Sequence, residues 1–389
     1  MPLQTMMKFF LRLSLSAVLL SVLLRKASCV TVDQLFVVQS GASNGGCDKY
    51  FDQVKKDGIL DNWVEEINFS LSTAIDGLDL YNQDVRIRRA VQTFFGVRNQ
   101  GKASNNAQQA IDKIAGNLKH VQDFVSYASS PTGQPIYQNS NFHLFCGSDF
   151  LVRQAVDTPA LDWQAKQILD NKGNPVNIAA VPEYAAALAV EPDKEAWWSG
   201  DYTPVNGYYF SNTGGEYCDT KSSTNNDADG HNLGLTAVIQ QLGVVGNTGA
   251  ARTVENIIIC DYSFTNPNRP ESYAAGDAAI VAGTNLAKAV PRSATLLHEV
   301  FHLLFGVDNG ADPQNPTGFL EGDEIYDLAQ CIETARKDRL KAQRNPESYV
   351  FFVTHMFYLL GVSGDGITKN WDFKLQQQGS NRIYSATTP

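Results

Sequence analysis

Two of the six histidines in this chain of 389 residues stand four apart with a glutamate between them: His298-Glu299-Val300-Phe301-His302. On an α-helix, residues i and i+4 lie one above the other, so both imidazoles can aim at one point. Zn2+ takes such nitrogens at about 2.0–2.1 Å and prefers four ligands in a tetrahedron, a demand the pair half satisfies. Glu299 lies near the same face, where it can accept a proton from water polarised by the metal instead of binding the metal itself. From Leu296 to Phe305 every other residue is apolar. Three polar side chains buried there without partners would cost several kcal/mol, and a cation removes that cost. The chemistry expected of this pattern is zinc-assisted hydrolysis of peptide bonds, with Glu299 as general base.

A catalytic zinc needs one more protein ligand, with the fourth position left to water. Asp308 lies ten residues after His298. Glu321 and Glu324 lie 19 and 22 residues after His302, near the distance used by thermolysin-like enzymes, and Asp323 stands between them. Spacing alone leaves all four open. Two further segments bear on the choice: Gly322-Asp323-Glu324-Ile325-Tyr326 and Asn345-Pro346-Glu347-Ser348-Tyr349. They resemble the aspzincin peptidases, the deuterolysin and peptidyl-Lys metalloendopeptidase group, where the H-E-x-x-H helix is followed by G-T-x-D-x-x-Y and then N-A-D-x-Y. The apolar strand ending at Cys260 also looks like the family's I-x-x-C strand. The resemblance is specific over Val254 to Phe352 and loose upstream. It implies Asp323 as third zinc ligand and Tyr326 as the hydroxyl that steadies the tetrahedral intermediate. It also places Glu347 where lysine-selective members carry a substrate-binding acid, implying a preference for Lys or Arg after the cut bond. The chain departs from the pattern at Glu321-Gly322, at Asp327 and at Pro346-Glu347. The same resemblance admits an alternative, a secreted zinc-binding, zinc-scavenging protein without proteolytic turnover.

The remaining composition fits an exported protein. Lys8 and Arg12, the apolar run Leu13 to Leu24 and the small residues Ala27-Ser28-Cys29 read as a signal peptide over residues 1–29. That run is short of the roughly 20 residues a bilayer span requires. Five cysteines follow: Cys47, Cys146, Cys218, Cys260 and Cys331. In an oxidising compartment they predict two disulfides and one leftover thiol, with the pairing open. Asn68-Phe69-Ser70 is a glycosylation sequon. The net charge of −10 repels phosphate backbones, so the expected partners are protein or peptide substrates and not nucleic acid.

The elements that must position these residues follow from periodicity. Helical spacing recurs over Cys47 to Tyr81, Val85 to Val97 and Ala107 to Ala128. Phe142 to Phe150 and Val254 to Cys260 read as strands, and Pro182 to Val190 as a helix. Trp197, Trp198, Tyr202, Tyr208, Tyr209 and Phe210 form an aromatic stretch that is core or groove lining. Lys221 to His231 and Asp261 to Glu271 read as loops. Ser293 to Phe305 is the helix of the H-E-x-x-H motif, stopped by Gly306. Tyr326 to Arg344 and Ser348 to Leu360 are two more helices, separated by Asn345-Pro346. The expected fold is α+β, mainly helical and zincin-like, with a small β-sheet. Residues 47–360 form the metallopeptidase domain, with an insertion around 150–250. Residues 30–46 are a lead-in or the start of a propeptide, and 361–389 a polar tail.

Overall fold

The computed structural model describes residues 30–41, 44–52, 54–55, 58–98, 105–138, 142–221, 230–243, 252–306, 318–320, 324–361, 369–378 and 381–388. Residues 1–29, which carry the signal-like sequence, lie outside them, as do Asp308, Glu321, Asp323 and most of the loop after Lys221.

The chain opens with a short helix α1 (Val32–Leu35) and strand β1 (Val37–Val38), followed by three amphipathic helices, α2 (Ile59–Asp79), α3 (Val85–Phe95) and α4 (Asn105–Val125). Next come β2 (Phe142–Phe145), β3 (Val152–Gln154), helix α5 (Pro182–Val190), β4 (Glu195–Trp198), β5 (Tyr208–Ser211), β6 (Gly234–Gln241) and β7 (Arg252–Ile259). These seven strands make one mixed sheet in the order β1-β2-β7-β6-β5-β4-β3. The pairs β1·β2 and β2·β7 are parallel, and every pair from β7·β6 outward is antiparallel. The sheet is therefore larger than expected. Residues 150–243 supply four of its strands, because their aromatic and β-branched residues suit a pleated, half-buried surface.

Alternation along β7 divides the core. Ile257 and Ile259 join the large helix-side cluster, whereas Ile258 packs with Phe145, Phe150, Trp197, Ala237 and Ile239 on the other face. Trp198, Tyr208 and Phe210 are buried in a third cluster with Ile168 and Ile178. The aromatic stretch is thus mostly core, and Tyr202 alone among those six is half exposed, at 50%.

After β7 come α6 (Asp261–Thr265), α7 (Tyr273–Ala279) and α8 (Ala294–Phe305), then α9 (Leu328–Lys337), α10 (Arg339–Ala342) and α11 (Pro346–Leu360). Helix α8 is apolar on all sides, and Ala294 to Leu303 are all buried, as expected of a helix enclosed between a sheet and other helices. It ends where Gly306 takes φ 64° and returns its N–H to the His302 carbonyl at 2.9 Å. Ser293 does not cap it with its side chain; its hydroxyl donates to Glu66 Oε2 of α2 instead. The helix expected over Tyr326 to Arg344 starts later and breaks at Asp338, whose carboxylate caps α10 through Lys341 N. Pro346 does not precede α11 but begins it, at the first-turn position where a missing N–H costs nothing.

Two disulfides form, Cys47–Cys146 and Cys218–Cys260, and Cys331 is a buried free thiol. The first ties the segment before α2 to the end of β2. Among the described residues no helix is long and apolar enough to cross a membrane. The sequon falls within α2, with Ser70 buried and its hydroxyl bonded to Ile67 O. The polar tail is in part an antiparallel hairpin, β8 (Asp372–Gln378) with β9 (Asn381–Thr387). Trp371 anchors it, packing on His355 and Tyr358 while its indole N–H reaches Thr284 O at 3.0 Å. One anchoring aromatic ahead of a polar strand pair leaves little trace in a hydrophobicity pattern.

Candidate metal centre

One turn of α8 separates His298 from His302, and their rings stand 5.2 Å apart. Both meet the same carboxylate. Glu324 Oε1 lies 3.1 Å from His298 Nε2 and 2.9 Å from His302 Nε2. The three ligand atoms fall within 4.8 Å of one another, an arrangement able to hold a metal ion. Two imidazoles and one carboxylate are the donor set of catalytic zinc sites that keep a fourth position open.

The remaining nitrogen of His298 is held from another helix. Its Nδ1 is 3.0 Å from Glu347 Oε2 in the first turn of α11. A carboxylate thus faces each ring nitrogen, Glu347 at Nδ1 and Glu324 at Nε2; a bound cation would replace the proton on Nε2 while Nδ1 keeps its own. A carboxylate behind a ligating histidine is the usual way to fix its tautomer and orientation. Burial opposes charge on His298, but Glu324 and Glu347 outweigh it and hold the imidazolium well above the ordinary range. Burial likewise works against Glu324, yet the two histidines hold its carboxyl far below the usual carboxylate value. These residues already form a charge-complementary nest.

The backbone that carries Glu324 is clamped from α11. Asn345 is fully buried. Its amide oxygen accepts from Ile325 N at 2.9 Å, and its amide nitrogen donates to Ile325 O at 2.9 Å. This two-point bond, like that of a neighbouring strand, fixes the residue between Glu324 and Tyr326. Tyr326 stacks on His298, with centroids 5.6 Å apart and planes 17° apart. Its hydroxyl donates to Glu324 Oε2. Burial and the Glu324 charge push that phenol well above its ordinary value.

Glu299 faces the sheet. Thr236 of β6 lies 2.9 Å from Glu299 Oε2 and 3.0 Å from the Glu299 carbonyl. The strand reaches this close because residue 234 lacks a side chain: a Cβ on Gly234 would sit 2.8 Å from Glu299 Oε1. Burial pushes the Glu299 carboxyl up, with the two histidines opposing and Glu324 adding to the shift. A second phenol closes this side. Tyr217, next to the Cys218–Cys260 bond, donates to Gly234 O at 2.7 Å. Burial, followed by the Glu299 charge, raises it well above its ordinary value.

A cavity of about 690 Å3 opens onto this group, lined at one end by Tyr217, Gly234, His298, Glu299, Tyr326 and Glu347. Five of the six residues to which the sequence and the family resemblance assigned a role thus gather in one place: His298, His302, Glu299, Tyr326 and Glu347. The sixth, Asp323, lies outside the described residues. Among those described, the carboxylate that meets both histidines is its neighbour Glu324. Glu347, expected in a substrate pocket, spends one oxygen on His298. Thr236 and Tyr217 were not foreseen. Thr236 had one faint signal, a polar residue on the inward-facing alternate positions of a strand beside Gly234, and Tyr217 had its cysteine neighbour.

Compared with protein-family models, with curated proteins and with solved structures, the chain matches none.

Proposed function

We propose that this chain is a secreted zinc-dependent metalloendopeptidase of zincin-like fold, related to the aspzincins, with His298, His302 and Glu324 as the zinc ligands. The observation that carries the reading is the meeting of both His Nε2 atoms with Glu324 Oε1 beside a buried, separately held Glu299. Glu324 takes the place that the family resemblance gives to Asp323. A bound zinc ion supplies a Lewis acid that lowers the pKa of water toward about 7 and polarises a peptide carbonyl.

The chain's own groups do the rest. Glu299 accepts the proton of the attacking water, and its burial, which favours the neutral acid, helps it carry that proton to the leaving amine. Thr236 keeps the carboxylate from turning away. Tyr326 stacks on His298 and its hydroxyl donates to Glu324 Oε2; turning that donation to the carbonyl oxygen of the substrate stabilises the charge that develops there. Glu347 and Asn345 hold His298 and the Glu324 backbone in place. Two disulfides and the signal-like start accord with secretion.

The test is Glu299→Gln in the zinc-loaded protein. It is expected to retain one zinc per chain and lose about 10²- to 10⁴-fold in casein hydrolysis. Full activity in that variant discards the mechanism. A parent protein that binds zinc but shows no chelator-sensitive digestion is the zinc-binding alternative.

A further inference from the structure

The cavity has a second end. From the metal group it extends past the first turn of α8 to a wall made by the segment Pro267–Pro270, helix α7 and the single-turn segment Leu286–Ala289. Its lining there is mostly small or apolar, with Asn268 and Thr284 as neutral polar residues and two cations, Arg269 and Lys288. Arg269 is half-buried and Lys288 exposed. Among the described residues neither has a carboxylate within ion-pair distance.

Arg269 sits on a segment that is held rather than loose. The guanidinium of Arg292 donates to Phe264 O at 2.9 Å and to Asn266 O at 3.1 Å, and Arg292 N donates to Pro270 O at 3.0 Å. Asn266 Oδ1 accepts from Asn268 N at 2.8 Å, and prolines stand at 267 and 270. The segment is thereby fastened to the residue two before α8, the helix that carries the histidines.

The acids that line the cavity are engaged by other groups. Glu347 is on His298, Glu299 is on Thr236, and Asp327 caps α9 through Gln330 N. Nearby Asp277 stands 4.0 Å from Lys369. The same cavity therefore holds anchored carboxylates beside the metal group and two cations without an acidic partner among the described residues, in a chain whose net charge is −10.

We propose that Arg269 and Lys288 form a substrate subsite for a carboxylate, supplied by an acidic side chain or by a free C-terminus near the cut bond. This rests on the peptidase assignment above and reverses the basic preference that the family resemblance implies. A guanidinium reads a carboxylate through paired N–H donors, and the ammonium adds a point charge that tolerates variation in reach.

The test uses zinc-loaded protein and quenched-fluorescent peptides that differ only in Glu, Gln or Lys at each of three positions on either side of the scissile bond. Short peptides ending in free acid or amide form the second arm. The expected result is Glu over Gln by about tenfold in kcat/KM at one position, carried mainly by KM, or acid over amide by a similar factor. Which arm responds identifies the source of the carboxylate. Arg269→Glu and, at the exposed position, Lys288→Glu should each shrink that ratio, and together they should favour Lys. Equal rates for Glu, Gln and Lys at every position, with acid equal to amide, overturn the subsite. Should no peptide be cut, the peptidase assignment fails, and calorimetry on zinc-loaded Glu299→Gln then decides the subsite alone. Tighter binding of Glu- than Lys-containing peptides, abolished by Arg269→Glu, sustains it; equal affinity overturns it.

Discussion

Helices α8 and α11 each bury a histidine, and the two are treated in opposite ways. His298 is enclosed by Glu324, Glu347 and the ring of Tyr326, so its charge is welcomed. His355, near the middle of α11, packs among Phe94, Trp371 and Phe373. Both of its ring nitrogens lack hydrogen-bond partners among the described residues. Burial, with Arg86 adding to it, pushes His355 down to about 3. One histidine has neighbours chosen for its nitrogens, the other for its ring. Depth of burial therefore says little about function. The company of acids from separate helices is what distinguishes a candidate ligand from a piece of core.

That comparison breaks or sharpens under substitution. The largest effect is expected at His298. Replacing it by Ala should abolish stoichiometric zinc and also destabilise the metal-free protein by about 3–5 kcal/mol, since buried Glu324 and Glu347 lose their shared partner. Metal analysis and urea unfolding read the two consequences separately, and unchanged stability would mean the acids are not held as described. Next is Glu347→Gln, which leaves the ligands intact but weakens the hold on Nδ1. Zinc affinity is expected to fall about 10–100-fold by competition with a chelator. An affinity within twofold of the parent would return Glu347 to the substrate pocket.

The smallest effect at neutral pH belongs to His355→Phe, which should gain about 1 kcal/mol by removing two unpaired polar atoms. Its signature is in the pH dependence. Above pH 6.5 neither folded nor unfolded chain protonates this side chain. As pH falls, the unfolded chain takes up the proton first, so stability drops by about 1.4 kcal/mol per unit until about pH 3, where the native imidazole also protonates. The variant should lack that component. Urea midpoints at pH 7 and pH 4 measure it, and parallel losses in parent and variant would show that His355 is not the group responsible.

How much could be read beforehand followed the distance over which each feature is encoded. His298, Glu299 and His302 share a helical turn, so their spacing alone placed them. Glu324 was one of four open acids, because the chain between His302 and Glu324 follows no period that fixes its return. Asn345 and Glu347 were marked by resemblance, but their tasks were not legible. The amide clamp on Ile325 and the bond to His298 depend on how α11 docks against α8. Thr236 arrives from β6, some sixty residues away, and only the register of a sheet could bring it to Glu299. That the outer strands join the main sheet was not legible, because aromatic, glycine-rich sequence declares neither its partners nor its sheet.

The bare backbone at Gly234 has a wider implication. A carboxylate buried between a helix and a strand needs room, and here the room comes from a missing side chain instead of an outward shift of the helix. A side chain at position 234 would press on Glu299 itself, although that position offers no atom to a metal and no proton to a reaction. Catalogues of catalytic groups pass over such places, since what they contribute is vacant volume.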